Sequence, residues 1–154
     1  MNFILINPDY IIYTDGACLG NPGEGGWATI IINNKVKTEK KIFGSELSTT
    51  NNRMELTAVI KGLNSLPNGS KVYIFTDSKY VINGIESWIT NWKKNNWRGS
   101  NKKEVKNKEL WMLLDQATEN LQIQWNWVKG HSGDKYNDEV DQLARTEAIK
   151  LQKF

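Results

Sequence analysis

The chain has a single cysteine, Cys18, among 154 residues. That excludes an intramolecular disulfide and a multi-cysteine zinc site, and it favours a reducing compartment. No apolar run approaches the roughly 20 residues that a membrane-spanning helix needs. The opening stretch, Met1 to Pro8, has no basic lead of the signal-peptide kind. A cytoplasmic protein without a membrane partner is expected. Neither a Gly-x-Ser-x-Gly hydrolase elbow nor the Gly-Lys-Ser/Thr ending of a nucleotide loop occurs. Repeats and low-complexity linkers are also missing. Hydrophobic content of 39% and charged content of 24% are ordinary for a globular chain. The length suits one domain, 1–154, with its own core, and a monomer is expected.

What is present is a repeated strand ending. Tyr10-Ile11-Ile12-Tyr13-Thr14-Asp15 and Val72-Tyr73-Ile74-Phe75-Thr76-Asp77 are both apolar, β-branched and aromatic, and both close on Thr-Asp. Such runs suit buried strands. Each would deliver a carboxylate to the C-terminal edge of a sheet, where open α/β sheets bind ligands. Two carboxylates in one place repel unless a cation lies between them. A metal site at a sheet edge is therefore expected.

The remaining pattern supplies the frame. Gly16 to Gly26 reads as a glycine-rich turn that allows close backbone approach to a ligand. Trp27 to Asn33 reads as a strand, Asn33-Asn34 as a hairpin turn, and Lys35 to Glu46 as the partner strand. Thr49 to Asn52 offers caps for a helix carrying Leu56, Val59, Leu63 and Leu66, which Pro67-Asn68-Gly69 stops. Ser78 can cap one helix through Val81, Ile82, Ile85 and Ile89. Glu109 to Leu121 is amphipathic, with Leu110, Leu113, Leu114 and Ala117 on one side. Gln122 to Val128 alternates as a half-buried strand, Lys129 to Lys135 is a loop, and Tyr136 to Leu151 is a closing helix. The order predicts an α/β fold. Its five-stranded mixed sheet has strands 1–3 antiparallel, strands 4 and 5 parallel, and helices on both faces.

Other candidates carry bland readings beside functional ones. Glu55 falls on the apolar stripe of its helix, where a carboxylate needs a partner or a cation; it equally suits a first-turn acid at the helix dipole. Asp15 and Asp77 taken singly suit turns or caps. His131, the only histidine, lies in Val128-Lys129-Gly130-His131-Ser132-Gly133. Flanking glycines suit a mobile imidazole that shuttles protons, although lone histidines are usually plain surface residues. Asp141 could be a ligand or an i+4 partner of Arg145. Pattern alone does not separate it from Asp134, Asp138 and Glu139.

The formal charge of +3 is unevenly spread. Lys93, Lys94, Arg98, Lys102, Lys103, Lys106 and Lys108, against Glu104 alone, give 91–108 a net +6 and leave −3 elsewhere. Trp88, Trp92 and Trp97 are interleaved with this island. They suit a small satellite core that holds the lysines out as a protrusion, at about 88–108, for a phosphate backbone.

These residues also occur as ordered motifs. The stretches Thr14 to Gly23, Thr50 to Leu56, Thr76 to Val81, Trp92-Lys93-Lys94, Trp127 to Gly133, and Asn137 with Asp141 to Ala144 follow one another in the pattern of a known family. Over nearly its whole length the chain resembles bacterial type 1 ribonuclease H. The resemblance implies a ribonuclease H-like fold and a two-metal-ion endonuclease. Such an enzyme cuts the RNA strand of RNA–DNA hybrids to 5′-phosphate and 3′-hydroxyl ends. It implies Asp15, Glu55, Asp77 and Asp141 as metal ligands and His131 as an aid to proton transfer and product release. It implies minor-groove contacts from Cys18, Asn21, Asn51 and Asn52, and a DNA phosphate held by Thr50, Arg53, Asn91 and Trp92. Lys93, Lys94, Trp97 and Asn137 join the expected substrate contacts. Lys79 departs from the glutamine of many bacterial members and could meet either the groove or a phosphate.

Oxygen donors without a thiolate cluster suit Mg²⁺, with Mn²⁺ as a substitute. Two alternatives stand beside this reading. One is an integrase-like strand-transfer nuclease, which normally carries further domains. The other is a hybrid-binding module that has lost catalysis, against which the full set of carboxylates argues.

Overall fold

The computed structural model describes residues 7–130 and 133–152. Five strands, β1 (Tyr10–Cys18), β2 (Gly23–Asn33), β3 (Thr38–Thr49), β4 (Lys71–Thr76) and β5 (Gln122–Trp127), form one sheet in the order β3-β2-β1-β4-β5. The first three are antiparallel, and β4 and β5 join parallel. Helix α1 (Asn51–Asn64) follows β3. Helices α2 (Lys79–Asn83) and α3 (Ile89–Lys94) flank a π-helical turn, Gly84–Trp88; α4 (Lys108–Thr118) and α5 (Lys135–Lys150) complete the order. The mixed sheet expected from the sequence is the one observed.

Side-chain alternation separates two cores. Ile12, Val72 and Ile74 point to one face and pack with Leu56, Val59 and Leu63 of α1 and with Trp111 and Leu114 of α4. Ala28 and Ile30 point to the other and meet Val140 and Ala144 of α5, with Tyr13 beside them. Edge strand β3 is largely exposed and carries Glu39, Lys40, Lys41 and Glu46. Charge on an exposed edge discourages pairing with another chain.

Several expected boundaries move. β1 does not end at Asp15, because β2 pairs with it as far as Cys18 opposite Gly25. Most of the glycine-rich stretch is therefore strand. A Cβ at Gly16 would overlap the backbone of Met54 and Glu55, so its close approach is to α1 and not to a ligand. The β2–β3 connection is a longer turn with Lys37 at φ 60°, which starts β3 at Thr38 instead of Lys35. The helix expected after Ser78 is interrupted at Gly84, where a Cβ would overlap the Trp111 ring. On α4 the buried residues are Trp111 and Leu114, whereas Leu113 is 47% exposed.

Candidate active site

The parallel pairing of β1 with β4 ends at Thr14 opposite Thr76. Asp15 and Asp77 are the next residue on each strand, so neighbouring chains release both carboxylates at the same level. Thr50 caps α1 by accepting from the Arg53 N–H at 3.3 Å, and this fixes where the first turn meets the sheet. Glu55 then lies over Gly16 and accepts its N–H at 2.6 Å. Asp134 caps α5 by accepting from the Asn137 N–H at 3.0 Å, and Asp141 follows two turns on. Of the four acids that the closing helix left undivided, the cap is Asp134 and the cleft residue is Asp141.

Asp15, Glu55 and Asp77 each offer an oxygen within 4.8 Å of the others. Asp15 is also hydrogen-bonded to Asp141, and all four line a cleft of about 440 Å³ with Asn51, Asn52, Ser78, Lys79 and Tyr80. Asp15 and Glu55 are 3% and 5% exposed. Burial drives the Asp15 carboxyl far above its ordinary range, and the charges of Glu55 and Asp77 add to the effect. Glu55 is raised too, chiefly by burial, although its hydrogen bonds with Asp15 and the Gly16 N–H pull the other way. Protons thus hold this cluster together where no cation does.

A stability prediction follows from that. The unfolded chain releases these protons near the ordinary values of 3.8 and 4.5, whereas the folded chain keeps them to higher pH. The stabilisation is therefore complete below about pH 4 and is lost as pH climbs through the raised values. In EDTA, the melting temperature is expected to fall between about pH 5 and pH 8, and Mg²⁺ is expected to restore it at the upper end. A metal-free melting curve independent of pH over that range would rule the cluster out as the source.

One edge beside the cleft gathers the expected groove contacts. Asn51 and Asn52 are exposed, and the Asn51 N–H donates to Asn21 Oδ1 at 3.3 Å. The Cys18 thiol donates to the carbonyls of Gly23 and Thr49, at 3.5 and 3.3 Å. Other residues are placed differently. Arg53 pairs with Glu109 and donates to Asn107 Oδ1 at 3.2 Å, so its guanidinium is already engaged. Asn137 is 1% exposed, which closes its side chain to a duplex. Lys93 pairs with Asp115 at 3.2 Å. His131 lies outside the described residues. Its neighbour Gly130 does not: a Cβ there would stand 2.9 Å from an Asp77 carboxylate oxygen, so the chain at Gly130 borders the cleft.

The tryptophans of the basic segment pack together as their spacing suggests. Trp92 packs on Trp88, Trp97 and Trp111, with ring centroids 5.8, 6.4 and 5.3 Å away. Trp111 Nε1 and Asn107 Nδ2 both donate to the Tyr80 hydroxyl, at 2.9 and 3.2 Å. One phenol thereby ties the cleft wall to the base of the protrusion. Asn91, Lys94, Arg98, Lys102, Lys103 and Lys106 are exposed. Trp92 and Trp97 are half-buried and pack against the larger core, which takes in Ile89, Val105 and Trp111, so the small satellite core expected for them is an extension of the main one. Trp127 opens one of the sequence motifs but was not among the expected contacts. Its indole donates to the Asp77 carbonyl at 3.1 Å, and it carries Lys79 over its ring. Its place at the end of a strand leading into the His131 loop was the available signal.

Oxygen donors alone, in a partly buried cluster at a sheet edge, define a site for hard divalent cations. The described residues contain no helix long and apolar enough to cross a membrane. The RNase H family model matches residues 7–149. The chain belongs to the RNase H family. It is 56% identical over 141 residues to a Ribonuclease H of Wolbachia pipientis wMel, covering 92% of this chain and 96% of that protein. It is 53% identical to a Ribonuclease H of Francisella tularensis subsp. novicida (strain U112), covering 92% and 91%. Among solved structures, LC9-RNase H1, a type 1 RNase H with the type 2 active-site motif, superposes with a TM-score of 0.83 at 29% identity, over 97% of this chain and 76% of that one. LC11-RNase H1, solved in complex with an RNA/DNA hybrid, gives 0.71 at 22% identity, over 92% and 97%, and supports the fold alone.

Proposed function

We propose that this chain hydrolyses the RNA strand of RNA–DNA hybrids at the carboxylate cleft, leaving 5′-phosphate and 3′-hydroxyl ends. The observation that carries the reading is the convergence of Asp15, Glu55, Asp77 and Asp141 from β1, α1, the end of β4 and α5 in a chain of this family. The residues fit a divalent pair, Mg²⁺ or Mn²⁺. Two of them are buried acids that stay protonated without a cation, and none is a soft ligand. Bound there, such ions supply an acidified water and charge relief at the leaving oxygen.

The protein's own part is placement. The four carboxylates hold the ions, and buried Gly16 fixes Glu55 through its N–H. Asn51, Asn52, Asn21 and Cys18 form the edge that meets the minor groove, where a 2′-hydroxyl distinguishes RNA from DNA. Thr50 and Asn91 face the DNA strand, and His131 moves the proton. A monomeric single domain in a reducing cytoplasm accords with this reading. The test is cleavage of an end-labelled hybrid, beside RNA duplex and DNA duplex controls, with Mg²⁺ and with EDTA. Metal-dependent cutting of only the RNA strand of the hybrid is expected. Binding without cutting would leave a hybrid-binding module.

The exposed lysines give a second prediction. Neutralising Lys94, Lys102 and Lys103 together is expected to raise KM several-fold with a smaller effect on kcat, because phosphate binding persists from ground to transition state. The slope of log affinity against log salt is expected to shrink by about one for each phosphate that the protrusion no longer neutralises. A slope that stays put would remove the protrusion from the nucleic acid.

A further inference from the structure

Lys79 opens α2 two residues beyond Asp77, is exposed, and lines the cleft that holds the four carboxylates. Its Nζ stands 5.2 Å from the centroid of the Trp127 ring. Trp127 is 44% exposed, and its indole Nε1 is held by the Asp77 carbonyl. A single residue, Asp77, therefore offers its side chain to the cleft and its main chain to the ring that carries the lysine.

This arrangement restricts what Lys79 can do. An ammonium is a donor only, and it binds phosphate as a point charge. A π face occupies one side of it and leaves N–H donors for an oxygen anion. A long flexible stem normally loses rotamer freedom on binding, and the ring already limits that freedom.

We propose that Lys79, braced on Trp127, grips a backbone phosphate of the nucleic acid beside the carboxylate cleft. The contact is with phosphate, not with a base edge, and it rests on the hybrid reading given above. Lys79 is then a positioning residue that sets the register of the strand over the carboxylates.

The experiment measures binding of a fluorescent hybrid by anisotropy, in Mg²⁺, across a salt series. The parent is full-length protein carrying Asp15→Asn, which keeps the hybrid intact. Lys79→Gln is expected to weaken binding by about threefold to tenfold at 0.1 M salt and to flatten the salt slope by about one. Lys79→Arg is expected to retain the slope. Trp127→Leu is expected to weaken binding in the Lys79 protein and to have less effect once Lys79 is Gln, because brace and braced residue act together. A slope unchanged by Lys79→Gln overturns the proposal while the hybrid reading stands. So does an affinity loss that varies with base composition at constant slope. Failure of the parent to bind hybrid overturns both.

Discussion

Asp15→Asn and Asp77→Asn are each expected to cut hybrid cleavage by about 10³-fold or more, while hybrid binding changes by only a few-fold. Both residues follow the last parallel pair of β1 and β4, so neither can be replaced by a neighbour without shifting a strand. Asparagine keeps the shape and removes the charge that attracts a divalent ion. Losing that ion's stabilisation of the leaving oxygen forfeits several kcal/mol, and about 4 kcal/mol corresponds to 10³ in rate. Binding persists because the asparagine edge and the protrusion are untouched. The Asp15→Asn protein is also expected to melt higher than wild type in EDTA at neutral pH, since it no longer has to keep a buried carboxyl protonated there. Single-turnover cleavage with excess enzyme, read beside anisotropy and melting curves, checks all three expectations. Turnover within tenfold of wild type in either variant would sink the assignment.

His131→Ala is expected to lower kcat by about 10²–10⁴-fold if the imidazole carries the proton, with metal and hybrid affinity nearly intact. Its neighbour Gly130 supports the role. The backbone there lies so near the Asp77 carboxylate that a methyl group would press on it. Gly133, on the other side, has φ +88°, a conformation that glycine adopts without strain. A role confined to product release would show as a steady-state loss without a single-turnover loss. A variant that matches wild type in both measurements makes His131 an ordinary loop residue.

The sheet and its two carboxylates were legible because their signals are local. Each strand is a run of β-branched and aromatic residues, and each acid is the next residue in the chain. Caps were legible for the same reason: Thr50 and Ser78 both accept from N–H groups three residues on. What the sequence hid depends on distant partners. Gly84 interrupts its helix because Trp111 packs against it. Arg53 looked available until Glu109, 56 residues away, was seen to pair with it. Asn137 sits among candidate ligands in the chain yet turns inward, because α5 buries that face. Lys79 and Trp127 are 48 positions apart, and only the parallel register of β4 with β5 makes them neighbours.

The carboxylate cleft draws one residue each from β1, α1 and α5 and one from the chain just past β4, so it spans the fold from its first strand to its last helix. No fragment that lacks α5 can complete it. During synthesis the ribosome delivers α5 last of these, so a nascent chain that has already formed its sheet still lacks Asp141. Activity is therefore withheld until the helix emerges and docks on Ala28 and Ile30.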